Sequence, residues 1–288
     1  MPQWSIGICT PVPMVPVDAG AVVQEKIAAA RTALDAYGGT RETDAAQAHR
    51  HAIEARRAIE EAMTPPQAEA KHLGLITPEW QRARAGLAIP PGHANIEIYA
   101  DGMEIGVARN AAVHCARQHK LKYIFFIDWD TLPPADALFK LAYHLDNNPE
   151  YGVAAGMYCM KTIPPYPLIW RQWNAGIDFN WTLGDVLKGD VCGVPMGCTL
   201  VRLSIFDDLP EPWFKTCDEP VFLGGQWGRC KMTEDLYFTK QFTDRGGLIM
   251  VDTSVFCEHI DHATGRRYTL GKDAMPYRRA IEEGRIKP

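Results

Sequence analysis

Tyr123-Ile124-Phe125-Phe126-Ile127-Asp128-Trp129-Asp130 decides how this chain is read. Five apolar residues run without interruption and stop at two carboxylates. A run apolar on both alternating faces predicts a central parallel strand, buried above and below. Carboxylates at the carboxyl end of such a strand lie where open α/β sheets bind ligands. Strand residues two apart point the same way, so Asp128 and Asp130 are expected to converge on one cation. Hard oxygen donors that leave coordination positions open suit Mg²⁺ or Mn²⁺ shared with a diphosphate. A bare D-x-D is better explained by solvated acids at the start of a loop. The strand before it and the motifs after it favour the metal.

Upstream, Trp4 to Cys9 reads as a short opening strand, ended by Thr10-Pro11-Val12-Pro13, because prolines cannot donate to a sheet ladder. An alanine-rich section follows over 20–90. Val23, Ile27, Ala30 and Leu34 line one helix face, and Ala48, Ala52, Ala55, Ile59 and Ala62 line a second. Thr77-Pro78-Glu79 reads as a third helix start, a cap residue with proline at the first helical position. Small alanine faces bury little area, so this section is expected to be a helical insertion.

From residue 94 strands and helices alternate, as in a doubly wound sheet. Ile96 and Ile98 mark a strand, and Gly106 to Asn110 opens a helix. Pro133-Pro134 precedes a helix carrying Leu138, Leu141 and Leu145, and Val153 to Tyr158 is a further strand. Val191 to Leu203 is a turn and strand, Thr233 caps a helix carrying Phe238 and Phe242, and Leu248 to Val251 is a late strand. Between them lies an irregular stretch with Trp170, Trp173 and Trp181. These rings either pack in the core or offer flat faces to an acceptor.

The chain has 288 residues, 47% of them hydrophobic, and a formal charge of −5. That suffices for one large domain over 1–288, with the 20–90 insertion inside it and a tail over 260–288. The net charge gives no general nucleic-acid surface. No apolar stretch approaches the ~20 residues of a membrane span. Eight cysteines without any C-x-x-C pair suggest buried thiols in a reducing, cytoplasmic setting.

Taken in order, Thr10-Pro11, Ala108-Arg109-Asn110, Phe126 to Asp130, Gly193 to Cys198, Pro212-Trp213-Phe214, Thr233-Glu234-Asp235 and Val255 to His259 resemble glycosyltransferase family 2. The likeness is to its compact, phage-type members with the GT-A fold, and it spans roughly residues 4–12 and 94–262. It implies a GT-A-type doubly wound mixed α/β sheet and a UDP- or GDP-linked nucleotide-sugar donor. In the same resemblance Asp128, Asp130 and His259 hold Mn²⁺ or Mg²⁺, with His262 as the neighbouring alternative to His259. Thr10, Pro11, Arg109, Asp128, Trp129 and Asp130 contact the donor, Asp235 is the general base of an inverting transfer, and Glu234 orients hydroxyls. Lys161, Arg171, Arg266 and Arg267 are further diphosphate candidates. The acceptor is left open among glycan, protein and a modified DNA base. Two other readings are a nucleotidyltransferase, against which the absence of a glycine-rich basic loop after the first strand counts, and a non-catalytic glycan- or nucleotide-sugar-binding relative.

Overall fold

A computed structural model describes residues 5–12, 77–101, 103–173, 175–223, 226–262 and 264–287. The expected helices at 23–34 and 48–62 lie outside the described residues. So does most of the alanine-rich section.

The described strands are β1 (Ser5–Val12), β2 (Ala94–Asp101), β3 (Tyr123–Ile127), β4 (Thr131–Leu132), β5 (Tyr151–Met157) and β6 (Val186–Val191). They continue with β7 (Cys198–Arg202), β8 (Cys217–Leu223), β9 (Gln226–Met232), β10 (Leu248–Phe256), β11 (Glu258–Asp261) and β12 (Arg266–Tyr268). The helices are α1 (Pro78–Ala85), α2 (Ile105–Gln118), α3 (Ala137–Asn147), α4 (Glu234–Thr243) and α5 (Met275–Glu282). Seven strands form the main sheet in the order β2-β1-β3-β7-β5-β10-β6. This is the mixed α/β sheet flanked by helices that the alternating pattern predicts.

Every residue of β3 is fully buried. Its side chains divide between two apolar layers. Ile124 and Phe126 pack with Val113 of α2 and Phe238 of α4. Tyr123, Phe125 and Ile127 pack with Leu138 and Leu141 of α3 and with Trp80 of α1. The strand is parallel to β1 but antiparallel to β7, so the parallel expectation holds on one side only.

β1 continues through Thr10 and Pro11, past the expected stop. Beyond Cys9 only β2 pairs with it, because the register with β3 ends at Cys9–Phe126. One side of the backbone therefore has no ladder to complete, and a proline is tolerated there. Helix α1 starts as read: the Thr77 hydroxyl accepts from Trp80 N at 3.2 Å, and Pro78 opens the first turn. A small three-stranded sheet, β12-β11-β4, stands apart from the main one. No helix among the described residues is long and apolar enough to cross a membrane.

Candidate functional site

Asp128 is the first residue beyond β3. Its N–H prolongs the ladder by donating to Gly197 O at 3.1 Å, while its carbonyl turns aside and accepts from Thr131 N at 3.1 Å. Residues 128–130 thus form a turn, and strand alternation no longer governs them. Asp128 and Asp130 consequently meet different partners, contrary to the expectation that they point the same way.

Asp128 Oδ1 accepts from Arg109 Nη2 at 2.8 Å, and Arg109 Nη1 donates to Glu234 Oε1 at 2.5 Å. Arg109 is a fully buried guanidinium on α2, and Glu234 opens α4. Burial works against the Arg109 charge, and Asp128, Glu234 and Asp235 overcome that effect. Burial pushes the Glu234 carboxyl up to about 7, against the pull of Arg109 and with the help of Asp235. The Asp128 carboxyl is likewise raised by burial and by Asp130, with Arg109 opposing. Nothing in the spacing of these residues announces the Arg109–Glu234 pair, which are 125 positions apart.

Asp130 belongs to a second group. Its Oδ2 lies 2.6 Å from Lys161 Nζ and 3.3 Å from His259 Nε2. Burial would raise this carboxyl, but the hydrogen bonds and charges of His259 and Lys161 outweigh it and bring it to about 2. The pairing of β11 with β4 sets His259 opposite Thr131, and Ile260 N donates to Asp130 O at 2.8 Å. His259 Nδ1 lies 2.8 Å from Cys159 O. A carbonyl accepts only, so Nδ1 carries a proton; Nε2 donates to Asp130 when the ring is a cation and offers a lone pair when it is neutral. The neutral ring with its proton on Nδ1 is the form that ligates a metal through Nε2. The ammonium of Lys161 holds the cation position on Asp130. The donor set therefore fits a divalent ion through Asp130 and His259, whereas Asp128 is engaged by Arg109. Among the described residues no three His, Cys, Asp or Glu side chains converge as a preformed metal cage.

Asp235 lies in the first turn of α4, half-buried. Its Oδ1 accepts from Leu236 N at 2.7 Å and from the Thr233 hydroxyl, which therefore does not cap the helix in the usual way. Asp235 Oδ2 has no hydrogen-bond partner among the described residues. Among the described residues Arg109 pairs with Asp128 and Glu234, and Lys161 and His259 pair with Asp130.

Thr10 is buried, with its hydroxyl unpartnered among the described residues, and Pro11 is buried beside it. Asn110 clamps the Trp213-Phe214 backbone, donating to Phe214 O at 2.8 Å and accepting from both amides at 3.1 Å. His262 stacks on Trp129 with ring centroids 4.2 Å apart, and its Nε2 lies 3.2 Å from Trp129 O. Trp181 is a core side chain whose Nε1 donates to Asp178 O, so it offers no face to an acceptor. Trp170 and Trp173 are half-buried beside Gly193. Arg171 is paired with Asp190, Arg267 with Glu258, and Arg266 lies over the Tyr268 ring.

No protein-family model matches this chain, and no curated protein does. Among solved structures it is similar to A197 from STIV, with 16% identity and a TM-score of 0.43 over 62% of this chain and 82% of that one. It is also similar to residues 1–349 of S. aureus TarS, with 12% identity and a TM-score of 0.35 over 93% of this chain and 61% of that one. A UDP-glucose pyrophosphorylase complexed with UDP-glucose gives 12% identity and a TM-score of 0.37, covering 99% and 100%. Likenesses at this level carry no argument about activity, which rests on the side chains themselves.

Proposed function

We propose that this chain is a metal-dependent glycosyltransferase that moves one sugar from a nucleotide-sugar donor to an acceptor hydroxyl with inversion. One observation carries the reading: a carboxylate-rich cluster at the carboxyl edge of the central strands, holding an Asp130–His259 pair and a separate Asp235 whose Oδ2 has no partner among the described residues. Asp130 and His259 would hold Mn²⁺ or Mg²⁺ beside the Arg109-bound Asp128, and the ion when bound would neutralise charge developing on the departing diphosphate.

Asp235 is the general base. Its Oδ1 is already hydrogen-bonded, so Oδ2 takes the proton from the acceptor hydroxyl as that oxygen attacks the anomeric carbon. Glu234, held by Arg109 and pushed up to about 7 by burial, orients hydroxyls. Arg109 keeps Asp128 and Glu234 in register. Lys161, now 2.6 Å from Asp130, would be a cation available to the diphosphate of a bound donor. Thr10 and Pro11 line the nucleoside end, where the donor gives the Thr10 hydroxyl the partner it lacks among the described residues. In this reading residues 1–288 are one catalytic domain, with 20–90 an insertion and 260–288 a tail.

The test is a thermal-shift screen of nucleoside diphosphates and nucleotide sugars, with and without Mn²⁺. Ligands that bind only the native state raise Tm by mass action. We expect one nucleotide class to stabilise the protein only with Mn²⁺, and Asp130→Ala to lose that dependence while keeping its own Tm within a few degrees. Equal stabilisation of both proteins in EDTA would sink the metal site.

A further inference from the structure

We infer that Trp80 of α1 is a positioning residue for the Asp128–Asp130 turn, a role that rests on the reading of this turn as the donor site. The indole is 2% exposed, and its Nε1 donates to Asp128 O at 2.8 Å. A buried indole needs an acceptor, but this acceptor has a particular place in the fold. Asp128 O is the carbonyl at which the chain leaves β3, and it also receives Thr131 N. Two donors converge on it from different elements, so its direction is set. The following peptides are then directed toward β11, where Asp130 O meets Ile260 N and the Asp130 carboxylate meets His259.

Trp80 is itself held by packing against β3 and α3, in the layer that contains Phe125, Ile127 and Leu138. Thr77 and Pro78 begin its helix. The ring therefore has little freedom to follow the turn if the turn moves. Helix α1 thus acts as a rigid post behind the carboxylates, touching neither substrate nor metal. Removing the N–H while keeping the ring should free the turn and loosen cation binding, without emptying the core.

The experiment replaces Trp80 with benzothienylalanine, an isostere carrying sulfur in place of N–H, and alongside it uses Trp80→Phe. Two readouts are taken on the full chain. The first is hydrogen exchange of the Thr131 amide, compared with amides of β3 that open only on global unfolding. The loss of one neutral hydrogen bond predicts about three- to tenfold faster Thr131 exchange, with β3 amides unchanged once the shift in Tm is subtracted. The second is the Mn²⁺ concentration needed for half-maximal nucleotide stabilisation, expected to rise by a similar factor. Unchanged Thr131 exchange in the isostere overturns the positioning role, whatever the metal does. Faster exchange with no Mn²⁺ response in either the variant or the native protein upholds the role and instead defeats the metal reading. A fall in Tm with neither local exchange nor Mn²⁺ response altered reduces Trp80 to a packing residue. If Trp80→Phe does not fold, the isostere alone decides.

Discussion

Asp235 and Glu234 are neighbours in the chain but meet different surroundings. Glu234 is buried against Arg109, whereas Asp235 keeps one oxygen without a partner among the described residues. Asp235→Asn should lower the transfer rate by about 10²–10⁴-fold while leaving Mn²⁺-dependent nucleotide stabilisation intact. Rate and thermal shift measured on one preparation would separate the two effects. Arg109 has a different kind of importance. Arg109→Met would leave Asp128 and Glu234 facing each other in a buried site, at a cost of about 3–5 kcal/mol. Denaturant midpoints of the two proteins check it. At this scale the sequence names the residue types well, because few runs combine an apolar strand with two terminal carboxylates. It does not say which carboxylate meets which cation, since Arg109 and Glu234 are joined only by the packing of α2 beside α4.

Elements explain why the carboxylates sit where they do. Gly197 accepts from Asp128 N through its carbonyl, and a Cβ there would lie 2.5 Å from Tyr158 Oη and 2.8 Å from Thr131 Oγ1. Tyr158 also accepts from Gly197 N at 3.1 Å, and burial pushes its hydroxyl well above the usual range, so it stays neutral. Gly197→Ala should therefore destabilise by about 1–3 kcal/mol through overpacking. Adding Tyr158→Phe removes the clashing oxygen and should recover part of that loss, which a double-mutant cycle of Tm values measures. The glycine-punctuated turn before β7 was readable as a turn. Its contact with Tyr158 was not, because the two segments meet through sheet order. The same holds for His259: β4 is two residues long, too short to leave a pattern, yet its pairing with β11 brings the histidine to Asp130.

Across the whole molecule, stability depends on pairs remote from the site. Asp252 at β10 is buried, lies 2.8 Å from His144 Nε2 of α3, and accepts from Ser254 N at 2.9 Å. Burial alone would raise its carboxyl, but these bonds hold it below the ordinary value of 3.8. A carboxyl depressed in the folded state contributes stability that is full above that ordinary value and lost as pH falls through the folded one. Asp252→Asn should thus lower Tm at pH 7, and the gap from the native protein should close below about pH 4. A gap independent of pH would show that the hydrogen bonds to the ionised Asp252 carboxylate are not its origin. The sequence by itself determined the α/β class, the buried central strand and the residue types gathered at its carboxyl end, because apolar runs and their interruptions are local properties of the chain. Only the tertiary structure decided that Asp128 turns to Arg109, that Asp130 turns to His259, and that Trp80 stands behind both. Hydrogen bonds between residues tens to more than a hundred positions apart depend on strand order and register, and those are settled by how the layers pack.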